Sequence, residues 1–381
     1  MFSRLYIHIP WCISKCGYCA FSSRPLAGHN LDQTCNLLLQ EMKLAAAAWP
    51  ANQPLQSVYL GGGTPSLLTA EQVSQLLVSS RSLFGRADDV EITLEANPGT
   101  VNLDSLSGYR QAGVARLSLG VQSFDDWMLV ALGRIHTAEE SRTALTLARQ
   151  AGFESIGIDL ICGLPEQTMT HWQNNLQQAI SLHPDHLSVY GLTVEEGTPF
   201  ATRYPDDSTE LPDDDQTAAM LEEADSRLTA AGYEHYEIAN FARHGKRSQH
   251  NCGYWQRDGY LGIGPGAHSF LRQGWGIRRG NQGDYETWAG AIRNNRLAAT
   301  EQQELTREDA LSEAIFLGLR MADGISLSNF AVQFDERLDQ RYAEEIRQLQ
   351  QAGLLTCTPD RLTLTKQGML LSNQVFVRFL S

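Results

Sequence analysis

The chain has 381 residues, and its 42% hydrophobic and 19% charged content is typical of a soluble globular protein. Its formal net charge of −14 repels phosphate backbones, so we expect no nucleic-acid partner. No apolar run approaches the roughly 20 residues that span a bilayer. The first residues do not resemble a charged-then-apolar signal peptide, and this pattern predicts a cytoplasmic protein.

Short β-rich runs alternate with helical segments from the N-terminus to about residue 240. Such alternation predicts parallel strands covered by helices, hence an α/β fold. Six units are too few for a full eight-unit barrel, which leaves an open partial barrel or a doubly wound sheet. Both folds place ligands at the C-terminal ends of the strands. The six runs are Leu5–Ile9, Ser57–Leu60, Val90–Glu95, Arg116–Val121, Ser155–Ile161 and His186–Leu192.

Helix boundaries are marked by capping residues. Thr69 with Gln72 and Thr137 with Glu140 have capping-box spacing, which predicts that a helix begins at each threonine. Gly113 stands where a helix is expected to end.

The C-terminal part has a different pattern. Residues 204–215 are acidic and contain two prolines, which predicts a solvated loop, and residues 240–282 show no clean period. From about residue 303 a helical pattern leads to two short strands around Pro359-Asp360 and then a final helix, as in a winged-helix module. We therefore predict a core over residues 1–240, a connecting segment over 241–300 and a winged-helix-like domain over 301–381.

Three of the seven cysteines crowd together just after the first strand. Cys12, Cys16 and Cys19 form a C-x3-C-x2-C run, whereas structural zinc sites usually have four protein ligands. Three thiolates on a 4Fe–4S cluster leave one iron open to S-adenosylmethionine (SAM), whose reductive cleavage yields a 5′-deoxyadenosyl radical. We interpret the run as a cluster site, with zinc as the alternative.

The flanking residues narrow this interpretation. Tyr6-Ile-His-Ile-Pro-Trp-Cys12 together with Tyr18-Cys19 resembles the radical-SAM superfamily, in particular the oxygen-independent coproporphyrinogen III oxidase family and its heme-chaperone branch. The resemblance implies an open, partial (β/α)6 barrel with a smaller C-terminal domain. It also implies that Tyr6 and Tyr18 flank the cluster and the adenine of SAM, although simple core packing remains the alternative for Tyr6.

A glycine triplet after the second strand resembles the family motif that binds the methionine amino group of SAM. The triplet is Gly61-Gly62-Gly63, and Gly62, Gly63 and the following Thr64 are expected to expose backbone N–H and C=O groups to a ligand. A purely structural turn is the alternative.

Four polar residues, within or after the predicted strands, match family positions that contact SAM. The resemblance implies that Arg134 holds the SAM carboxylate, and that Glu95, Gln122 and Asp159 hold its ribose hydroxyls and amine. Asp159 lies in an apolar strand and must be paired or bind a ligand. An internal ion pair between Arg134 and Asp159 is the alternative.

Three features favour the heme-chaperone branch. Position 21 is Phe where the oxidase has a further cysteine, and almost no sequence precedes the first strand, where the oxidase has an N-terminal arm. The run His250-Asn-Cys-Gly-Tyr-Trp255 resembles the heme-binding signature of that branch, which implies that His250 ligates heme iron. Cys252 is an alternative ligand, and His268 is expected to face the cofactor pocket.

The sequence thus predicts a heme chaperone that binds a 4Fe–4S cluster, SAM and heme and passes heme to respiratory hemoproteins at the membrane. Contact with the membrane is expected to be peripheral, through the partner, and a homodimer is expected to form. The rival interpretation is an oxygen-independent coproporphyrinogen III oxidase of porphyrin biosynthesis, and the enzyme assignment stays open between the two. Radical chemistry requires a low-potential electron donor such as flavodoxin or ferredoxin.

Overall fold

The computed structural model describes residues 1–51, 53–205 and 208–380. Asp206 and Asp207 of the predicted acidic loop lie outside the described residues. No helix in the described part of the chain is long and apolar enough to cross a membrane.

The strands follow the predicted order and then continue beyond it. They are β1 Arg4–Ile9, β2 Trp11–Cys12, β3 Arg24–Pro25, β4 Leu55–Gly62, β5 Arg86–Ala96, β6 Arg116–Gln122, β7 Ser155–Cys162, β8 His186–Gly191, β9 Glu234–Glu237, β10 Asn240–Ala242, β11 Tyr260–Ile263, β12 His268–Leu271, β13 Ile277–Asn281, β14 Ala299–Glu304, β15 Ile325–Ser326, β16 Leu355–Cys357 and β17 Arg361–Leu364.

The helices fill the intervals between these strands and make up most of the C-terminal part. They are α1 Leu31–Ala48, α2 Ala70–Phe84, α3 Leu103–Ala112, α4 Asp126–Leu132, α5 Ala138–Gln150, α6 Met169–Ser181, α7 Pro199–Arg203, α8 Asp214–Ala230, α9 Gln249–Trp255, α10 Tyr285–Arg293, α11 Arg307–Arg320, α12 Leu327–Phe334, α13 Leu338–Arg341, α14 Ala343–Gln351, α15 Lys366–Leu370 and α16 Ser372–Phe376. Short 3-10 turns are Pro65–Leu67, Pro98–Thr100 and Val377–Phe379.

The six predicted strands are confirmed as β1, β4, β5, β6, β7 and β8, which are adjacent and parallel in that order. Both capping boxes are confirmed, because Thr69 and Thr137 each accept a hydrogen bond from the backbone of the residue three positions on. Gly113 caps α3 in the left-handed conformation, at φ 107°. Because parallel strands end at the same edge of a sheet, their C-terminal residues meet there.

The main sheet is wider than the sequence indicates. It orders its strands β14-β13-β12-β11-β1-β4-β5-β6-β7-β8-β10-β9, with β11 parallel to β1 and the outer strands antiparallel. Residues 234–242 therefore add β9 and β10 at one edge and residues 260–304 add β11–β14 at the other, although the sequence pattern showed no clean period over 240–282. The hydrophobic core of the main sheet continues without a break to Ala298.

A second, smaller core lies in the C-terminal part. It runs from Ala310 to Phe379 and joins helices α11–α16 with a three-stranded sheet in the order β15-β17-β16. The predicted pair of short strands is present as β16 and β17, which are antiparallel.

Candidate SAM and iron–sulfur site

A cavity of about 470 Å³, here called cavity one, opens at the C-terminal ends of β4–β8. It collects residues that are far apart in the sequence but follow successive parallel strands. Tyr6 and His250 do not line it. The predicted site residues in its wall are Cys12, Cys16, Tyr18, Cys19, Gly62, Gly63, Thr64, Glu95, Gln122, Arg134 and Asp159.

The cysteines lie on one loop between β2 and β3. Parallel pairing of Trp11 with Arg24 closes the base of the loop. Farther out, the Gly17 N–H donates to the Leu132 carbonyl at 3.2 Å, and the Gly17 carbonyl accepts from the Phe200 N–H at 3.0 Å. These hydrogen bonds hold the backbone of the loop against the ends of α4 and α7. They therefore fix the position from which the thiols face the cavity.

The three thiols line cavity one without forming a site for a single metal ion in the described residues. In the described residues no three His, Cys, Asp or Glu side chains are close enough to share a single metal ion. A 4Fe–4S cube does not need that arrangement, since each thiolate binds a different iron atom. The Cys16 Sγ lies 3.5 Å from the Arg134 guanidinium.

A glycine cradle forms the wall next to the cysteines. The Gly63 N–H donates to the Ile9 carbonyl at 2.7 Å, and the Thr64 N–H donates to the Trp11 carbonyl at 2.8 Å. A Cβ on Gly63 would lie 2.6 Å from the Trp11 carbonyl oxygen, so a side chain there would push the cradle away from the cysteine loop. Close packing on Trp11 therefore requires glycine at this position, and the N–H groups of Gly63 and Thr64 are already engaged within the chain.

Glu95 is a buried carboxylate held by two donors. Its oxygens accept from the Tyr59 hydroxyl at 2.8 Å and from the Gly62 N–H at 3.0 Å. Burial raises the pKa of Glu95 to about 7. The group therefore changes charge near neutral pH, at the point where a ligand amine would sit.

Asp159 is the second buried carboxylate, and burial raises its pKa as well. The Ser118 hydroxyl donates to it at 3.3 Å, and Ser188 also hydrogen-bonds to it. Arg134 instead donates to the Gly120 carbonyl at 2.6 Å. In the residues described, Arg134 and Asp159 make no ion pair, so the internal-pair alternative does not account for them.

Arg134 and Gln122 are placed by unusual backbone at helix and strand ends. Gln122 ends β6 with φ 68°, and Arg134 follows Gly133, which caps α4 at φ 74°. The Arg134 Nε is buried without a hydrogen-bond partner in the part of the chain that the structure describes. A guanidinium left with unused donors beside a cavity fits the carboxylate of a ligand.

His250 lies apart from cavity one. Its Nδ1 is 2.8 Å from the Ser57 hydroxyl and its Nε2 is 2.8 Å from the Tyr254 hydroxyl, and only 1% of the residue is exposed. Burial and the nearby Arg4 lower its pKa to about 3, so the imidazole is neutral. Because both nitrogens are hydrogen-bonded, neither is free to bind iron in this conformation. Cys252, the alternative ligand, is also buried.

Tyr6 lies on the wall of a second cavity, here called cavity two. This cavity has a volume of about 530 Å³ and lies between β1, β11, β12, β13 and the helices α9 and α11. His268 lines cavity two rather than cavity one, and Phe21 borders both cavities.

Sequence reasoning missed the residues that hold the two carboxylates. Tyr59, Ser118 and Ser188 lie within strands and act through hydrogen bonds to Glu95 or Asp159. The two-residue alternation of side chains along each strand could have identified these three residues, because it places them on the same face of the sheet as Glu95 and Asp159.

Comparisons with known proteins agree with this geometry. The model of the radical SAM superfamily matches residues 6–179, and that of the HemN C-terminal domain matches residues 305–371. Coproporphyrinogen III oxidase (HemN) of Escherichia coli, described as a radical SAM enzyme, superimposes with a TM-score of 0.87 at 27% identity, covering 100% of this chain and 90% of that one. Fold and cavity therefore define a radical SAM protein with a HemN-type C-terminal domain, and the predicted fold class is confirmed.

Two sequence relatives narrow the class. Heme chaperone HemW of Bacillus subtilis is 37% identical over 376 residues, which covers 98% of this chain and 98% of the relative. Heme chaperone HemW of Escherichia coli is 44% identical over 265 residues, or 69% of each chain. The chain belongs to the heme chaperone HemW family.

Proposed function

We propose that this protein is a heme chaperone that binds a 4Fe–4S cluster, SAM and heme and delivers heme to respiratory hemoproteins. One observation carries the cofactor part of the proposal. Three cysteines, a glycine cradle, two buried carboxylates and an arginine with unused donors line a single cavity. The heme part is supported by the names of the relatives in this family.

The residues of cavity one have distinct tasks in this proposal. Cys12, Cys16 and Cys19 hold the cluster, and Arg134 binds the carboxylate of SAM. Glu95, when ionised, accepts hydrogen bonds from the SAM amine beside the backbone of Gly62. When bound, the cluster supplies an electron for cleavage of a C–S bond of SAM.

The ribose end of SAM is assigned to the remaining polar groups of the cavity. Asp159 accepts hydrogen bonds from the ribose hydroxyls, Gln122 accepts from them or donates to them, and Tyr18 packs beside the adenine. Tyr18 is held near the cysteine loop by an edge contact with Phe200, whose ring centroid is 6.1 Å away. These side chains orient the ligand, and the cysteine loop covers it from water.

The cofactor part is tested by anaerobic reconstitution with iron and sulfide. We expect a cluster with equal amounts of iron and sulfide, and SAM binding that depends on it, measured by calorimetry. Protein that takes up zinc in place of the cluster, or no metal at all, contradicts the proposal.

The heme part is tested by titrating the reconstituted protein with ferric heme. We expect one heme per chain and transfer of that heme to an apo-cytochrome presented in membrane vesicles. The superposition on HemN favours one rival function, the oxidation of coproporphyrinogen III. An anaerobic assay with that substrate, a flavodoxin or ferredoxin donor and SAM decides between them, since porphyrin product above background favours the oxidase.

A further inference from the structure

Cavity two is a second ligand-sized space that the SAM site does not use. Its volume of about 530 Å³ lies within the range of roughly 300–1,000 Å³ for cofactor sites. It is built from four separate parts of the chain, namely β1, the cysteine loop at Phe21 and Ser22, the segment from α9 to β13, and α11. Phe316 of α11 also packs against the smaller, C-terminal core.

Aromatic rings dominate the wall of cavity two. The Tyr254 and Tyr260 rings meet edge to face at 4.6 Å, and the Tyr260 and Phe270 centroids are 6.3 Å apart. Trp255 and Phe316 add two more faces from α9 and α11. Such a wall suits a flat, apolar macrocycle, because rings gain both area burial and stacking contacts.

Two histidines line the same cavity, and they differ in availability. The ring nitrogens of His8 are both engaged, with the Tyr6 hydroxyl at 3.0 Å and the Ser22 carbonyl at 2.8 Å. His268 is exposed, and its ring has no hydrogen-bond partner in the part of the chain that the structure describes. It lies across from Gly280 of β13, where a Cβ would come within 3.1 Å of the imidazole. The backbone thus leaves room for this ring, and its nitrogens are open to a metal.

His250 does not line cavity two, but it contacts Tyr254, which does. It lies four residues before Tyr254 on α9, on the same helix face, and the His250 Nε2 to Tyr254 hydroxyl distance is 2.8 Å. Its other side packs on Tyr59, with ring centroids 5.0 Å apart. The imidazole therefore fixes the position of the Tyr254 ring.

The rim of cavity two offers cations to an acidic ligand. Arg278 is 44% exposed at its side chain and pairs with Glu313 at 2.5 Å, while Arg257 contacts the same carboxylate at 2.9 Å. The other acid of the wall, Asp258, is already paired with Arg4 at 2.7 Å. The exposed Arg278 thus keeps donors for a propionate of a tetrapyrrole, whereas Arg257 is buried and also donates to the Trp275 carbonyl at 2.5 Å.

We propose that cavity two is the heme site, with His268 as the ligand of the iron and His250 as a positioning residue that holds Tyr254 against the macrocycle. This proposal rests on the heme-chaperone function proposed above and gives it a location. The iron ligand is then not in the His-Asn-x-x-Tyr-Trp run, whose histidine is buried, and the Tyr254 and Trp255 of that run form part of the cavity wall.

The test uses the full-length, cluster-reconstituted protein titrated with ferric heme. We expect His268→Ala to weaken heme binding by at least about tenfold and to abolish the imidazole-coordinated Soret and electron paramagnetic resonance signature. Free imidazole should restore that signature in His268→Ala. His268→Gln, which keeps a polar side chain of similar reach, should behave like His268→Ala. His244→Ala, at an exposed histidine outside both cavities, is the matched control and should bind heme like the wild type.

His250 needs a readout that separates ligation from positioning. We expect His250→Ala to lower the heme affinity while the heme that does bind keeps the imidazole signature. Tyr254→Phe keeps the ring and removes only its hydrogen bond to His250, so it should give a smaller loss in the same direction. Thermal unfolding and SAM binding, measured for each variant, identify any that do not fold.

Three outcomes overturn these assignments, and each is recognisable. Wild-type affinity and spectrum in His268→Ala would remove cavity two as the heme site. Loss of the imidazole signature in folded His250→Ala, with retention in His268→Ala, would make His250 the ligand. Wild-type protein that binds no heme would overturn the proposed function itself and this site with it.

Discussion

Cavity one and cavity two share one sheet but are built in opposite ways. Cavity one takes polar residues from the ends of successive parallel strands, and two of them, Glu95 and Asp159, accept hydrogen bonds from neighbouring strands. Cavity two takes aromatic rings from the antiparallel extension of the sheet and from α9 and α11. The first arrangement suits a charged, polar ligand, and the second suits a flat, apolar one.

The difference also shows how each site depends on the rest of the fold. The strand ends of cavity one are placed by the parallel sheet, which one continuous core supports. Cavity two is complete only when the C-terminal helix α11 packs beside α9, because Glu313 and Phe316 come from α11. Each of the following variants alters one of the two cavities.

The largest expected effect is the loss of the cluster in Cys16→Ser. A thiolate ligand of a cube cannot be replaced by a hydroxyl of much higher pKa, so iron and sulfide content should fall to background. Cys357→Ser, at a half-buried cysteine of β16, is the matched control and should keep the cluster. Ferric heme binding should persist in Cys16→Ser, and its complete loss would show that the two cavities are not separate sites.

A smaller effect is expected from Arg134→Gln. Removing a charged donor to the SAM carboxylate costs about 1.5–3 kcal/mol, or roughly a tenfold to hundredfold loss of affinity. Calorimetry with SAM measures it, and the iron content of the variant shows whether the contact with Cys16 also matters. Arg293→Gln, at an exposed arginine of α10, is the control. Unchanged SAM affinity in Arg134→Gln would exclude Arg134 as the carboxylate ligand.

SAM affinity should depend on pH through the charge of Glu95. Burial raises the pKa of Glu95 to about 7, so it is a carboxylate above that pH and neutral below it. Affinity for the SAM ammonium group should therefore fall as pH decreases from 8 to 6, by up to about tenfold per unit. Glu95→Gln should flatten the profile, and a profile unchanged by Glu95→Gln would contradict the assignment.

The raised pKa of Glu95 affects folding stability in the direction opposite to its effect on SAM affinity. The folded-state pKa of Glu95 lies above the ordinary value of 4.5, so between these values the folded chain binds the extra proton. Stability from this group is therefore present at low pH and is lost as pH rises toward 7. Urea unfolding of Glu95→Gln across this range separates the folding effect from the binding effect.

The smallest expected effect is that of Tyr6→Phe. It removes the hydroxyl bonded to His8 in cavity two, which is worth about 0.5–1.5 kcal/mol. We expect a loss of heme affinity of less than about tenfold and no change in SAM affinity. A change in SAM affinity alone would place Tyr6 functionally with cavity one, as the sequence resemblance implied.

Much of cavity one was predictable from the sequence because its residues follow strands that are themselves predictable. Glu95 and Gln122 end strands with clear apolar runs, and parallel strands align their ends. The Cys12–Cys19 run lies within one loop, so no long-range packing is needed to bring the thiols together.

Cavity two was not predictable in the same way. Strands β11–β13 are short and have no clean alternation, and β11 joins the sheet beside β1, about 250 residues earlier in the chain. The burial of His250 depends on Ser57 and Tyr59 of β4, which a local motif does not reveal. Tyr6 was assigned to the cluster because it precedes Cys12 closely, but strand alternation turns it and His8 toward the other cavity.

Phe21 gives the two cavities a common boundary. Its side chain is 69% exposed, and its backbone belongs to the cysteine loop, whose Ser22 carbonyl also contacts His8. Any ligand that orders this loop from one side changes the surface offered to a ligand on the other side. Thermodynamic linkage makes that influence mutual. Under the proposed function, binding of the iron–sulfur cofactor would change the affinity for heme, and binding of heme would change the affinity for the cofactor by the same factor.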